Sequence, residues 1–440
     1  MKKEVRLSQC MIVKNEEKNI RRALEWGKPI VMEQIVVDTG STDRTAEIAE
    51  EMGAKVYQFP WTGDFSAAKN YAIGKASGNW IAFLDADEYF LPEDVEKLWQ
   101  LLNHLERDLR PEKKPHIIRV RLANMDDQGK PFSFTVQDRV FQRIPPLRYR
   151  NRIHEYIGMP PSMPVRILEK EDLTIIHTGY TRQAITEMNK TERNIELLKL
   201  ELEKKPDDYN VMVYLGEALL MENRIEEGMQ YFRKVIQHKP GKNLTVQRYS
   251  VAIGHILRSM CMNCSPDQEE EVKRLCGLME DAYPGYPDTT YYHGWWLLQN
   301  DREKEGERLL LETLERVESY QGVASSYASA RLADIYHWLS RIYYKQQNRE
   351  ESMRLGILSL RLNRYNQNQL DILVALFYMS AGEEKETVAQ GAWEVLSKLY
   401  DVNRQKDQLF LLRSVKTVPF QELARIILQN LPEQDTPKLS

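Results

Sequence analysis

The run Trp80-Ile81-Ala82-Phe83-Leu84-Asp85-Ala86-Asp87 ends an apolar strand in two carboxylates separated by one small residue. A buried strand has no structural use for paired acids at its tip, where they repel each other. A divalent ion carrying a phosphate resolves that repulsion. Hard cations take oxygen ligands, and magnesium typically binds through one or two carboxylates plus substrate phosphates. On extended backbone, residues two apart project to the same side, so Asp85 and Asp87 are expected to face one ion. The same alternation turns Glu88 away, toward solvent. The competing reading is a strand that simply runs into a polar loop. A third carboxylate, Asp38, ends Ile35-Val36-Val37 and could accept a hydrogen bond from a base edge.

Positioning these acids needs a sheet. Leu7 to Val13 reads as a strand, Asn19 to Trp26 as a helix and Gln34 to Asp38 as a second strand. Asp43 to Met52 follows as a helix, with Ser41 or Thr42 as N-cap and Gly53 at its end. Asp43 itself reads as structural, because an acid at a helix start is favoured by the helix dipole. Lys55 to Phe59 is a third strand, Phe65 to Ala76 a helix and Trp80 to Leu84 a fourth strand. This alternation predicts an α/β, mostly parallel, Rossmann-like sheet with helices on both faces. Ligands on such sheets bind beyond the carboxyl ends of the strands. Asp38 and Asp85 both sit there.

From about residue 185 helical periodicity takes over. Pro206 and Pro240 lie 34 residues apart, enclosing Leu215-Gly216, Leu219, Gly228, Phe232 and Val235. That spacing is tetratricopeptide-like, with small residues where paired helices touch. Looser copies carry Gly294, Gly306 and Leu310, then Leu339-Ser340, Tyr343 and Ser352. The expected organisation is therefore an α/β domain over 1–185 and an all-α repeat domain over 186–432. Helix pairs of this kind stack into solenoids whose concave face suits extended partners.

With 440 residues the chain is too long for one ordinary domain. Its net charge of −4 argues against a general nucleic-acid binder. Cys261 and Cys264 form one Cys-x-x-Cys without a second pair, so buried thiols are expected in place of a zinc site. No apolar signal region follows Met1-Lys2-Lys3, and no stretch approaches the ~18 apolar residues needed to cross a bilayer. The chain reads as cytoplasmic.

Three segments together carry a family likeness. Met11-Ile12-Val13-Lys14-Asn15-Glu16-Glu17, Ile35-Val36-Val37-Asp38-Thr39-Gly40-Ser41-Thr42-Asp43 and Leu84-Asp85-Ala86-Asp87 resemble, in order and spacing, the family 2 glycosyltransferases of GT-A fold. The likeness covers residues 5 to 180. With its helical tail, the chain resembles the bacterial SunS-type glycosyltransferases, some of which place a sugar on a cysteine or serine of a precursor peptide. The resemblance implies a UDP-sugar donor held by Asn15, Glu16, Asp38, Lys69, Asp85 and Ala86. It also implies a Mg2+ or Mn2+ ion held by Asp85, Asp87 and the late histidine His177. Lys69 stands where the family usually has arginine, and lysine lacks that planar fork. Gln-x-x-Arg-Trp, the signature of processive polysaccharide synthases, is absent.

An inverting transfer needs a base for the acceptor proton. The run Arg148-Tyr149-Arg150-Asn151-Arg152-Ile153-His154-Glu155 supplies two candidates. Glu155 is preferred; His154 could be the base or could orient the donor. Arg139, Arg148, Arg150 and Arg152 read by default as surface residues. The second segment, Ile175-Ile176-His177-Thr178-Gly179-Tyr180, ends an apolar strand. The leading expectation is thus a metal-dependent glycosyltransferase with a peptide or protein acceptor along the helices, and a homodimer as an open expectation. Alternatives are transfer to a cell-surface glycan or lipid-linked sugar, or a repeat scaffold with an inactive transferase domain.

Overall fold

A computed structural model describes residues 4–107, 114–126, 128–159, 164–179, 189–241, 243–320 and 326–430. The first elements follow the expected order: β1 (Leu7–Val13), α1 (Ile20–Glu25), β2 (Val31–Asp38), α2 (Thr45–Glu51), β3 (Lys55–Gln58), α3 (Phe65–Lys75) and β4 (Trp80–Phe83). Then come β5 (Glu88–Phe90), α4 (Pro92–Arg107), β6 (His116–Met125), β7 (Pro131–Gln142), β8 (Arg148–Arg150), β9 (Tyr156–Gly158) and β10 (Arg166–His177). Eight strands form one sheet in the order β3-β2-β1-β4-β7-β6-β10-β5, and β8 and β9 pair separately. The β3-β2-β1-β4 half is parallel; β7 runs antiparallel to β4 and β6, and β10 parallel to β6.

Side-chain alternation explains why the central strand is apolar on both sides. Trp80, Ala82 and Leu84 pack into one core with Leu98 and Leu102 of α4. Ile81 and Phe83 pack into the other, with Ala72 and Ile73 of α3. Two details differ from the sequence reading. β2 starts at Val31, because Ser8 and Glu33 pair across β1 and β2 and a polar residue masks the strand's beginning. The helix expected from Asp43 starts at Thr45 without a Ser41 or Thr42 cap. Those hydroxyls are used elsewhere: Ser41 Oγ donates to Asp38 and Thr42 Oγ1 to Asn15. Asp43 still supports the helix start, accepting from the Thr45 amide at 3.0 Å.

Every later element among the described residues is a helix, beginning with α5 (Asn189–Lys204) and α6 (Tyr209–Met221). Compactness divides the chain into Met1–Gly228 and Met229–Ser440. The boundary expected at 185/186 lies outside the described residues, and α5 and α6 belong to the unit that holds the sheet. The small residues of the repeat pattern sit where helices touch. A Cβ on Gly228 would come 2.8 Å from the Gly216 carbonyl, and one on Gly306 3.2 Å from that of Gly294. In the third copy Ser340 and Ser352 exchange hydroxyl-to-carbonyl bonds of 2.7 Å. No helix among the described residues is long and apolar enough to cross a membrane. The four cysteines are free thiols, Cys264 half-buried and the others buried.

Candidate functional site

A cavity of about 910 Å³ opens beyond the carboxyl ends of β1, β2 and β4. Its floor is Ile12 to Glu16, Thr39 and Asp85 to Asp87. One side is Trp61, Phe65 and Lys69, another is Ile153, His154, Glu155 and His177, and α5 adds Arg193 and Asn194. Of the residues expected from sequence, Asn15, Glu16, Lys69, Asp85, Ala86, Asp87, His154, Glu155 and His177 all reach this one space.

Asp38 is not among the lining residues. It is buried, with Oδ1 accepting from the amides of Gly40 and Ser41 and from Ser41 Oγ, and Oδ2 from Gln58 Nε2. It shapes the turn after β2, whose next residue, Thr39, donates to the Val13 carbonyl at 3.0 Å and does face the cavity. Asn15 fastens the opposite side of that turn, accepting from the Thr42 amide at 2.8 Å. Asn15 has φ 57 and His154 φ 50. Non-glycine residues held in this region are strained, and such strain gathers at functional sites.

The acid pair departs from simple alternation. β4 stops at Phe83 and Ala86 and Asp87 form a turn, closed by the Glu88 amide donating to the Asp85 carbonyl at 3.0 Å. The turn sends the carboxylates to different partners. Asp85 meets Lys69 Nζ at 3.4 Å and Arg139 Nη2 at 2.9 Å. Asp87 Oδ2 lies 3.3 Å from His177 Nε2. Glu88, expected in solvent, is instead 1% exposed and paired with Arg139, because β5 begins there and folds back against β10. Arg139 is half-buried and committed to Glu88 and Asp85, not a surface arginine. Of the others, Arg150 is exposed, Arg148 donates to the Ile144 and Leu147 carbonyls, and Arg152 to those of Thr62 and Gly63.

Lys69 joins the two halves of the site. It is 2% exposed, contacts Glu155 Oε1 at 2.6 Å, and lies over the Phe83 and Tyr149 rings. Burial alone would discharge it, but Asp85 and Glu155 outweigh that penalty and hold its pKa above the ordinary lysine value. Burial likewise opposes the charge on Asp85, and Lys69 and Arg139 overcome it, holding that carboxyl below the usual range. Burial and the nearby Asp85 push Glu88 up. α3 also grips the loop that carries the candidate base. Ser66 Oγ donates to the Asn151 carbonyl, and Asn70 exchanges two 2.9 Å bonds with the Tyr149 backbone. The His154 ring stacks on Tyr214 of α6, 3.8 Å between centroids and 9° from parallel.

Whether the site fits a divalent ion turns on Asp87 and His177. Among the described residues no group of three or more His, Cys, Asp or Glu forms a cage. An ion bound together with substrate phosphates needs only one or two protein carboxylates. The space beside the pair is kept open by Gly179, where a Cβ would collide with Asp87 Oδ2 and come 2.7 Å from His177 Nε2. Burial works against a charged His177, but its bond to Asp87 outweighs this and raises its pKa above the ordinary value. The pair and its cradle fit the ion; Asp85 is committed to Lys69 and Arg139. Tyr180, the last residue of that sequence segment, lies outside the described residues.

Residues 8–109 match the family described as Glycosyl transferase family 2. The match runs from β1 through α4. Among curated relatives, a TPR repeat-containing protein of Synechococcus elongatus is 31% identical over 251 residues, 56% of this chain and 59% of the relative. The SPbeta prophage-derived glycosyltransferase SunS of Bacillus subtilis is 26% identical over 298 residues, 67% of each chain. The chain thus spans somewhat over half the length of the first of these relatives. A solved structure of S. aureus TarS 1–349 with UDP-GlcNAc is 14% identical, covers 72% of this chain and 93% of that one, and has a TM-score of 0.35. The sequence reading did not single out Trp61, Phe65, Arg193 or Tyr214, which line the cavity or support it, nor Asn124, whose Oδ1 lies 2.7 Å from His177 Nδ1. Trp61 and Phe65 flank the Asp64 cap, a signal that was available; the others reach the site only through tertiary packing.

Proposed function

We propose that the chain is a metal-dependent inverting glycosyltransferase that moves a sugar from a nucleotide sugar, with UDP as leaving group, to a Cys or Ser side chain of a peptide or protein. The observation that carries this reading is the single cavity joining a strand-end acid, an imidazole, a buried lysine and a candidate base. The family 2 domain supports the class of reaction. The peptide acceptor rests on the SunS-type resemblance and on the helical repeats.

Asp87 and His177 would hold the divalent ion, with donor phosphates completing its shell. When bound, the ion acts as a Lewis acid that neutralises the diphosphate as it leaves. Asn15, Glu16, Thr39 and Ala86 line the cavity and would meet the nucleoside, and Asp38 would reach a base only by giving up bonds within its own turn. Glu155, fixed by Lys69, takes the acceptor proton. The freed sulfur or oxygen attacks the anomeric carbon from the face opposite the diphosphate. The bond from that carbon to the diphosphate oxygen breaks, and the configuration inverts. A thiol acceptor, with an ordinary pKa of about 8.5, needs only modest help from the base; a serine needs more.

A thermal-shift panel of nucleotide sugars with and without Mn2+ tests the donor, since a ligand that binds the native state raises its apparent stability. The expected result is one nucleotide sugar that stabilises the chain in the presence of Mn2+ and is slowly hydrolysed. Asp87→Asn should lower that turnover by ~10²-fold or more while the circular dichroism spectrum stays unchanged. Wild-type turnover in Asp87→Asn would overturn the metal reading. No stabilisation by any nucleotide sugar would return the scaffold alternative.

A further inference from the structure

His177 is oriented by a row of side chains that runs across three strands. Ser133 on β7, Asn124 on β6 and His177 on β10 are directly paired in register. Asn124 is 4% exposed. Its Nδ2 donates to Ser133 Oγ at 2.9 Å, and its Oδ1 lies 2.7 Å from His177 Nδ1. An amide oxygen only accepts, so the ring nitrogen that faces it carries a proton. Once Nε2 gives up the proton it shares with Asp87, the lone pair belongs to that atom, 3.3 Å from Asp87 and beside the Gly179 cradle.

We propose that Asn124 is a positioning residue: its amide oxygen holds the His177 ring with the proton on Nδ1, so that Nε2 is presented with Asp87 to a divalent cation. The proposal rests on the metal reading above and adds to it a residue that never touches the ion. A metal-ligating imidazole generally donates its other N–H to an acceptor that fixes ring and tautomer, and losing such a partner typically costs 10–100-fold in metal affinity. The acceptor here is a neutral amide and not a carboxylate, so it orients the ring without adding a charge beside Asp87 and Glu88.

The test uses the full chain and Mn2+ alone, without donor. Mn2+ affinity is measured by calorimetry or electron paramagnetic resonance for the wild type, Asn124→Leu, Asn124→Asp, His177→Ala and Asp87→Asn. Asn124→Leu should lose ~10–100-fold in affinity. Asn124→Asp, which keeps an acceptor facing Nδ1, should restore affinity to within a few-fold of wild type. Long-range 15N correlation spectra of the histidine-labelled wild type should show the neutral His177 ring protonated on Nδ1. This measurement stands even where Asn124→Leu fails to fold. A proton on Nε2, the result of the reverse amide orientation, would overturn the proposal. So would wild-type Mn2+ affinity in Asn124→Leu while His177→Ala is weakened, and in that case the metal reading survives. Absence of Mn2+ binding by the wild type, or wild-type affinity in both His177→Ala and Asp87→Asn, would sink the metal reading and this proposal with it.

Discussion

Lys69 is the residue on which the site's electrostatics turn. Its ammonium sits between Asp85 and Glu155, the first a strand-tip acid and the second the candidate base, with two aromatic faces completing the enclosure. Removing one partner of a buried ion pair leaves uncompensated charge, and such breaks cost several kcal/mol. Asp85 is 40% exposed and keeps Arg139, so most of the cost belongs to Glu155, which is 17% exposed. Lys69→Met should therefore destabilise the chain by about 3 kcal/mol. Glu155→Gln in the same background should return part of that loss, because the orphaned charge goes with it. The coupling is read from thermal melts of the two single variants and the double. Strictly additive penalties would mean that the 2.6 Å contact carries no stability. Lys69→Arg is not a conservative swap here, since a planar fork would replace the single ammonium held between Asp85 and Glu155.

At the scale of elements, Glu33 shows how the sheet is pinned beneath the site. It lies on β2 and is 8% exposed. It accepts from Ser8 Oγ on β1, from the Ser77 amide and hydroxyl before β4, and from Lys55 on β3. Burial opposes its charge, but these donors outweigh burial and bring its pKa from 4.5 down to about 2. A folded-state value below the unfolded one contributes stability that is full above the unfolded pKa and lost as pH falls through the folded one. The shift corresponds to about 3 kcal/mol at most. Glu33→Gln should accordingly melt well below wild type at pH 7, and the gap should narrow between pH 4.5 and 2. A gap that is constant across that window would assign the role of Glu33 to packing and not to charge. This same residue marks the limit of what the sequence disclosed. β1, β4 and α3 were legible from apolar runs and helical periodicity, but a buried glutamate in β2 reads as the end of a strand. The acid pair was legible as a site, and its partners were not. Arg139 and Asn124 reach it through the register of β7 and β6, and nothing in their local sequence marks them. The solvent placement of Glu88 failed because alternation holds only while the strand continues, and β4 ends at Phe83.

At the scale of the whole molecule, the first helices beyond residue 185 contribute to the site on the reading proposed here. Arg193 and Asn194 of α5 line the cavity, and Tyr214 of α6 supports the His154 ring. Both helices belong to the compact unit that contains the sheet. A chain ending at residue 185 lacks the Tyr214 support for a residue held at φ 50, and that strained backbone persists only where its surroundings enforce it. A chain ending at residue 240 keeps α5, α6 and the following helix Ile225–Val235, whose Gly228 packs on Gly216. The shorter truncation should therefore lose nucleotide-sugar hydrolysis, and the longer one should keep it within about tenfold, a change of ~1.4 kcal/mol in barrier. Transfer to a peptide acceptor should fail in both, because an extended partner needs the stacked helices beyond. The measurements are released UDP and glycosylated peptide, each on chains whose circular dichroism reports folding. Hydrolysis by the 185-residue chain at the full-length rate would show that α5 and α6 are dispensable to the site. Peptide transfer by the 240-residue chain would move the acceptor off the repeats and onto the cavity rim at Trp61 and Phe65.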